Sequence, residues 1–124
     1  MIEIAKRAVA LAGKGWQWMP GMSLSYGGFR VLCSVSNREH AIYGPDGEGD
    51  YEVIAADIYR MLPDLTDPAT LGCVMALVRE AYGGKVVITQ GNGWWSVETD
   101  YYRWDDDNTA SFQEALVAAL EAAP

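Results

Sequence analysis

This 124-residue chain holds many carboxylates but only one histidine and two cysteines, and their spacing matches no recognised catalytic pattern. His40 is the only histidine, and we interpret the stretch around it as a turn, which predicts a surface histidine. Nucleophilic catalysis needs a nucleophile, a base and an orienting group. The sequence holds no Gly-x-Ser-x-Gly, phosphate-binding or dinucleotide-binding motif. It therefore predicts a non-enzyme without catalytic residues or a cofactor. The alternative is an enzyme of another type, with a carboxylate of raised pKa in a cleft.

The potential metal ligands are also sparse or badly spaced. Asp105, Asp106 and Asp107 resemble part of a calcium loop but lack its glycine and its distal glutamate. The alternating carboxylates in 46–50 are typical of a solvated turn. Neither Cys33 nor Cys73 belongs to a Cys-x-x-Cys pair, so we predict two reduced core thiols and no metal site. Because adjacent like charges repel, we interpret 105–107 as an exposed loop that contacts a partner.

The aromatic residues carry more information than the titratable ones. Trp16 and Trp18 lie one residue apart between glycines and Pro20, whereas Trp94 and Trp95 are adjacent and must point to opposite faces of a strand. An outward indole needs a cover, which is another element, a second subunit or a ligand. The stretch 13–22 is thus either a structural plug or one wall of a binding site.

The binding-site hypothesis predicts a groove that stacks a planar, nucleotide-like ligand and meets its phosphate with a cation. Its candidate residues are the four tryptophans together with nearby basic side chains: Trp16, Trp18, Trp94, Trp95, Lys14 and Arg30. Exposed tryptophan faces also favour a homodimer.

The charge distribution limits the class of partner. The net charge is −8. Residues 1–30 hold four basic residues and one acidic residue, a balance of +3, whereas 31–124 hold five basic and sixteen acidic residues, a balance of −11. This disfavours direct nucleic-acid binding, which needs surplus cations. The alternative function is therefore an acidic inhibitor that covers a basic surface of a host protein, imitating nucleic acid.

The elements that must position these residues follow from periodicity and turn signals. Helices are expected over 2–12, over 68–82 with Asp67 or Thr66 as its cap, and over 112–123 with a Ser111–Glu114 capping box. Strands are expected over 29–37 and 38–44, followed later by a hairpin that turns at Asn92-Gly93. The run 51–62 is ambiguous: its start alternates like a strand, which we favour over 51–55, while Ile54, Ile58 and Leu62 fit a helix. The sequence predicts one α+β domain over 1–124, in which about three helices cover one antiparallel sheet of about four to five strands.

Two stretches resemble a group of short phage and prophage proteins of unassigned function. They are GWQWMPGM, with its core at 16–22, and LPDLTDPATLGCVMALVREAYGG, at 62–84; the closing FQEALVAALEAA is similar as well. The resemblance covers about half of the chain and implies no catalytic residues. It implies a phage-encoded accessory protein, often directed against host defence, in the bacterial cytoplasm. No apolar run reaches the roughly 18 residues of a membrane span, so no membrane partner is expected.

Overall fold

The structure is a computed structural model that describes residues 1–25, 29–34, 39–43, 52–55 and 62–124. Within these ranges it contains three helices and two three-stranded antiparallel sheets. The elements in chain order are α1 (Ile2–Val9), β1 (Arg30–Ser34), β2 (Glu39–Tyr43), β3 (Glu52–Ala55), α2 (Pro68–Ala81), β4 (Val87–Gly91), β5 (Trp94–Glu98), β6 (Arg103–Asp105) and α3 (Phe112–Ala122).

The α+β class is confirmed, but the expected single sheet of four to five strands is wrong. Strands β1, β2 and β3 pair in that order, and β4, β5 and β6 form a separate sheet. Each sheet joins strands that are consecutive in the sequence, and helix α2 lies between the two sets along the chain. Strand patterns predict that strands exist, whereas the division into sheets depends on how the helices pack between them.

Helix α2 begins where its sequence predicts. Asp67 is the N-cap and accepts a hydrogen bond from the backbone N–H of Thr70, and Pro68 occupies the first turn. Arg30 donates two hydrogen bonds to the same carboxylate, at 2.9 and 3.0 Å, and a third to the carbonyl oxygen of Gly21. The cap of α2 is therefore also the ion pair that ties the start of β1 to this helix.

Helix α3 is the centre of the packing. It contacts α1, α2, β5 and β6, and six of its side chains are buried. Ser111 caps it by accepting from the N–H of Glu114, but the side chain of Glu114 binds Arg7 of α1. The expected reciprocal capping box is therefore only half formed, because a cation on the neighbouring helix holds the carboxylate that would complete it.

The hairpin in the second half of the chain is confirmed. Gly91 pairs with Trp94 across a two-residue turn at Asn92-Gly93, and Gly93 has a φ of 82°. The run that follows the turn divides into β5 and β6, so 94–104 is not one extended stretch. Val97 lies between Ile88 and Trp104 in one row across the sheet, on the face that packs against the core.

Some expectations fall partly or wholly outside the described residues. The strand expected near 51–55 is confirmed as β3, whereas the carboxylates of 46–50 and the link at 56–61 lie outside them. In the described part of the chain, no helix is long and apolar enough to cross a membrane. Nor do those residues bring together three or more His, Cys, Asp or Glu side chains that could hold a metal ion.

Candidate functional site

Trp16 and Trp18 form part of the core. Their side chains are 3% and 8% exposed, and their rings meet edge to face at a centroid distance of 5.6 Å. Gly13 and Gly15, with φ values of 81° and 118°, turn the chain after α1 so that both indoles enter the interior. This placement favours the structural plug. Binding of a ligand by these two rings stays a prediction, and it would require this region of the core to open.

One polar atom in this region has no partner. The indole Nε1 of Trp16 is buried and makes no hydrogen bond within the described structure. A buried N–H without an acceptor costs about 1–3 kcal/mol. The indole is therefore held by packing alone.

His40 is not the surface residue that the sequence predicts. It lies on β2, is only 4% exposed and faces Trp18 at a ring-centroid distance of 6.2 Å. Burial lowers the pKa of its imidazole below the usual 6.5, because an apolar environment disfavours the charged form. The prediction was wrong because the polar residues before His40 in the sequence resemble a turn, whereas the apolar residues after it continue a strand.

Trp94 and Trp95 point to opposite faces of β5, as the sequence predicts. Trp95 packs on Phe112 of α3 at a ring-centroid distance of 5.6 Å. Trp94 points away from the core and is 49% exposed. Its ring lies against Gly91 on the neighbouring strand, where a Cβ atom would overlap the indole. The hairpin thus covers one face of this ring with its own backbone, and part of the ring still contacts solvent.

The two predicted cations have different environments. Arg30 is held by Asp67, and this guanidinium is the largest cause that lowers the pKa of Asp67 to about 2. Lys14 is exposed in the turn before Trp16. Among the described ring contacts, none joins Trp16 or Trp18 to Trp94 or Trp95. A groove shared by the six predicted ligand-binding residues stays a prediction.

The three aspartates of 105–107 have different environments. Asp105 accepts from the backbone N–H groups of Asp107 and Asn108 and from Arg103, and the bond to Arg103 contributes most to lowering its pKa. Asp106 and Asp107 are exposed. Contact with a partner stays a prediction for the set, and Asp105 already has a structural role in its own turn.

A pocket of about 590 Å³ lies at the carboxyl ends of α2 and α3. We call it the tyrosine pocket. Its walls are the end of α2 and the turn after it, the loop between β5 and β6, and the end of α3; the lining residues are Ala81, Tyr82, Lys85, Thr99, Asp100, Tyr101, Tyr102, Ala122 and Pro124. Another pocket, beside α1, has a volume of about 130 Å³. None of the six predicted ligand-binding residues lines either pocket.

Thr99 fixes the loop that carries two of the aromatic walls. Its hydroxyl accepts from the backbone N–H groups of Tyr101 and Tyr102, and its own N–H donates to the carbonyl oxygen of Tyr102 at 2.8 Å. Tyr101 is 88% exposed, and Tyr102 lies beside Trp104 with ring centroids 5.6 Å apart. Two large rings are therefore held at the protein surface by an ordered turn.

The inner wall of the pocket is a partly buried tyrosine. Tyr82 donates its hydroxyl to the carbonyl oxygen of Ala119 at 2.8 Å, which joins the end of α2 to α3. Burial, and to a lesser extent nearby Tyr102, raise the pKa of this phenol. Tyr82 is therefore neutral at physiological pH and serves as a fixed wall.

Sequence reasoning missed this pocket because its walls come from three distant segments. The available signal was the pair Tyr101-Tyr102 after Thr99-Asp100, which is turn chemistry followed by two rings that one strand cannot both bury.

Compared with protein-family models, curated proteins and solved structures, the chain matches none of them.

Proposed function

We propose that this protein is a non-catalytic binder of a small molecule and that the tyrosine pocket is its binding site. The observation that carries the proposal is a concave site of about 590 Å³ with Tyr82 as its inner wall and Tyr101 and Tyr102 on its rim. Pockets of roughly 300–1,000 Å³ that combine aromatic walls with a few polar groups are typical of small-molecule sites. A tyrosine ring offers a large contact area at little conformational cost.

The polar groups of the pocket favour binding over catalysis. Its charged side chains are Lys85 and Asp100, and Thr99 already accepts two backbone hydrogen bonds. The hydroxyl of Tyr82, whose pKa is raised by burial, is engaged with α3. Such a set can orient a ligand by stacking and charge, but it has no activated nucleophile beside a base.

The test is a thermal-shift screen of the intact protein with planar anions such as AMP, planar cations and neutral aromatic compounds. We expect at least one class to raise the melting temperature, because a ligand that binds only the folded state stabilises it. Tyr101→Ala should weaken that ligand about tenfold or more and leave the fold intact, because this ring is almost fully exposed. Lys14→Ala is the matched control, because Lys14 is exposed and does not line the pocket.

The same screen separates this site from the sequence-based one. A ligand whose binding depends on Lys14 and is unaffected by Tyr101→Ala would overturn the proposal in favour of the groove predicted at Trp16 and Trp18. No stabilisation by any class would also overturn it, and an acidic inhibitor would then be the better hypothesis. That alternative predicts a salt-sensitive complex with a basic protein, lost when Asp106 and Asp107 are both changed to Asn.

The phage-type accessory role against host defence is implied by the resemblance alone. Within the proposal, a binder of this kind would act by sequestering its ligand, with no chemical step.

A further inference from the structure

We infer that the tyrosine pocket selects a small organic cation, such as an alkylated ammonium group, over an anion. This inference rests on the proposed function, since it names the ligand class of the same site. The inference follows in three steps from the helix ends, the aromatic rim and the balance of side-chain charge at the pocket.

The first step is that two helices end at the pocket. Ala81 and Tyr82 close α2, and Ala122 closes α3 and is followed by Pro124 at the same pocket. The carboxyl end of a helix carries roughly half a negative charge from its aligned peptide dipoles. Arg79 lies in the last turn of α2, whereas the last turn of α3 holds no basic residue. Arg79 offsets part of the negative charge at the end of α2, so the end of α3 contributes most of the attraction for a cation.

The second step is the aromatic rim. The π face of a tyrosine ring attracts a cation that lies within about 6 Å of the ring centroid. Tyr101 and Tyr102 are both exposed, and they sit on the loop that Thr99 fixes. A cation with methyl groups loses little hydration when it contacts such rings, so it gains from both their faces and their apolar area.

The third step is the charge of the lining side chains. Asp100 and Lys85 cancel each other formally, which leaves the two helix ends to set the sign. The background charge of the whole chain, −8, has the same sign. A phosphate in this pocket would meet one lysine against a carboxylate and two negative helix ends. An ammonium group would meet the opposing charge of Lys85, but also the carboxylate of Asp100, the two helix ends and the rings of Tyr101 and Tyr102.

The test compares choline with 3,3-dimethylbutan-1-ol, which has the same shape without the charge, in NMR titrations of the intact protein. We expect choline to bind at least tenfold more tightly than the alcohol, and more tightly than AMP. Asp100→Asn should weaken choline about threefold or more and leave the alcohol unchanged. Lys85→Met should strengthen choline, because it removes the opposing charge.

The outcomes distinguish the inference from the proposed function. Two results overturn the cation selectivity: equal affinity for choline and the alcohol, or tighter binding of AMP than of choline. If that binding is lost in Tyr101→Ala, the pocket is still the site. If none of the three probes binds, the inference is overturned and the thermal-shift screen decides the site. Binding that is unaffected by Tyr101→Ala overturns the inference and the site together. Because Asp100 and Lys85 are exposed, both variants should fold, which urea denaturation checks.

Discussion

Single side chains determine how the start of β1 meets α2. The carboxylate of Asp67 accepts four hydrogen bonds: one from the N–H of Thr70, one from the Thr70 hydroxyl at 2.9 Å and two from Arg30. The sequence predicts the cap, because Asp before Pro at the start of an apolar run is a helix-start signal. It cannot predict the guanidinium, which lies 37 residues away along the chain.

The charge of Asp67 gives a testable prediction about the stability of the protein. Its pKa is about 2, below the ordinary 3.8, so its contribution is fully present above pH 3.8 and is lost as the pH falls towards 2. The difference between these pKa values corresponds to about 2 kcal/mol. Asp67→Asn keeps a good N-cap but loses the ion pair. We expect it to lower the free energy of unfolding at pH 7 by about 2 kcal/mol, measured by urea denaturation.

Asp106→Asn is the matched control, because its carboxylate is exposed. This variant should change stability by less than about 0.5 kcal/mol. A loss in Asp67→Asn that is as large at pH 2 as at pH 7 would contradict the electrostatic explanation.

The elements show which parts of the fold are locally encoded. Helices α2 and α3 and the Asn92-Gly93 hairpin carry caps, glycines and periodicity within a few residues, and all three are where the sequence places them. The separation of two sheets is not encoded in this way, and neither is the partner of Glu114. These features depend on which surfaces meet after the elements form, so periodicity within one element does not contain them.

The half-formed capping box gives a prediction about the stability of α3. Ser111→Ala should cost about 1 kcal/mol, because the N–H of Glu114 loses its acceptor at the start of α3. Glu114→Gln should cost less than about 1 kcal/mol, because it breaks a partly exposed ion pair with Arg7. The two losses should add in the double variant, as measured by chemical denaturation. A coupling above about 0.5 kcal/mol would indicate that the reciprocal box forms after all.

At the scale of the whole molecule, the sequence predicts more indole surface than the core can bury, and the structure divides that surface unequally. Trp16 and Trp18 are interior, Trp94 is half exposed, and the tyrosine pocket adds two more rings at the surface. Whether these rings share one ligand stays a prediction, because proximity between distant segments depends on packing and not on sequence pattern. A homodimer that covers Trp94 stays a prediction, which a mass measurement in solution can test.

The whole-molecule prediction concerns the response to mild acid. His40 is the only histidine, and burial lowers its pKa, so the folded chain binds this proton less readily than the unfolded chain. Stability should therefore fall as the pH decreases below about 6.5. Urea denaturation at pH 7 and pH 5 should show a smaller fall in His40→Gln than in the unchanged chain. An equal fall in both would assign the acid response to other groups.

The contact between Trp94 and Gly91 has a consequence for the outer surface of the hairpin. The indole rests where a side chain would otherwise stand, so a single hydrogen atom at position 91 keeps this ring flat against the sheet. A larger residue at this position would displace the Trp94 ring towards solvent and expose more of its apolar surface. The solubility of the hairpin thus depends on a residue that contributes no side chain at all.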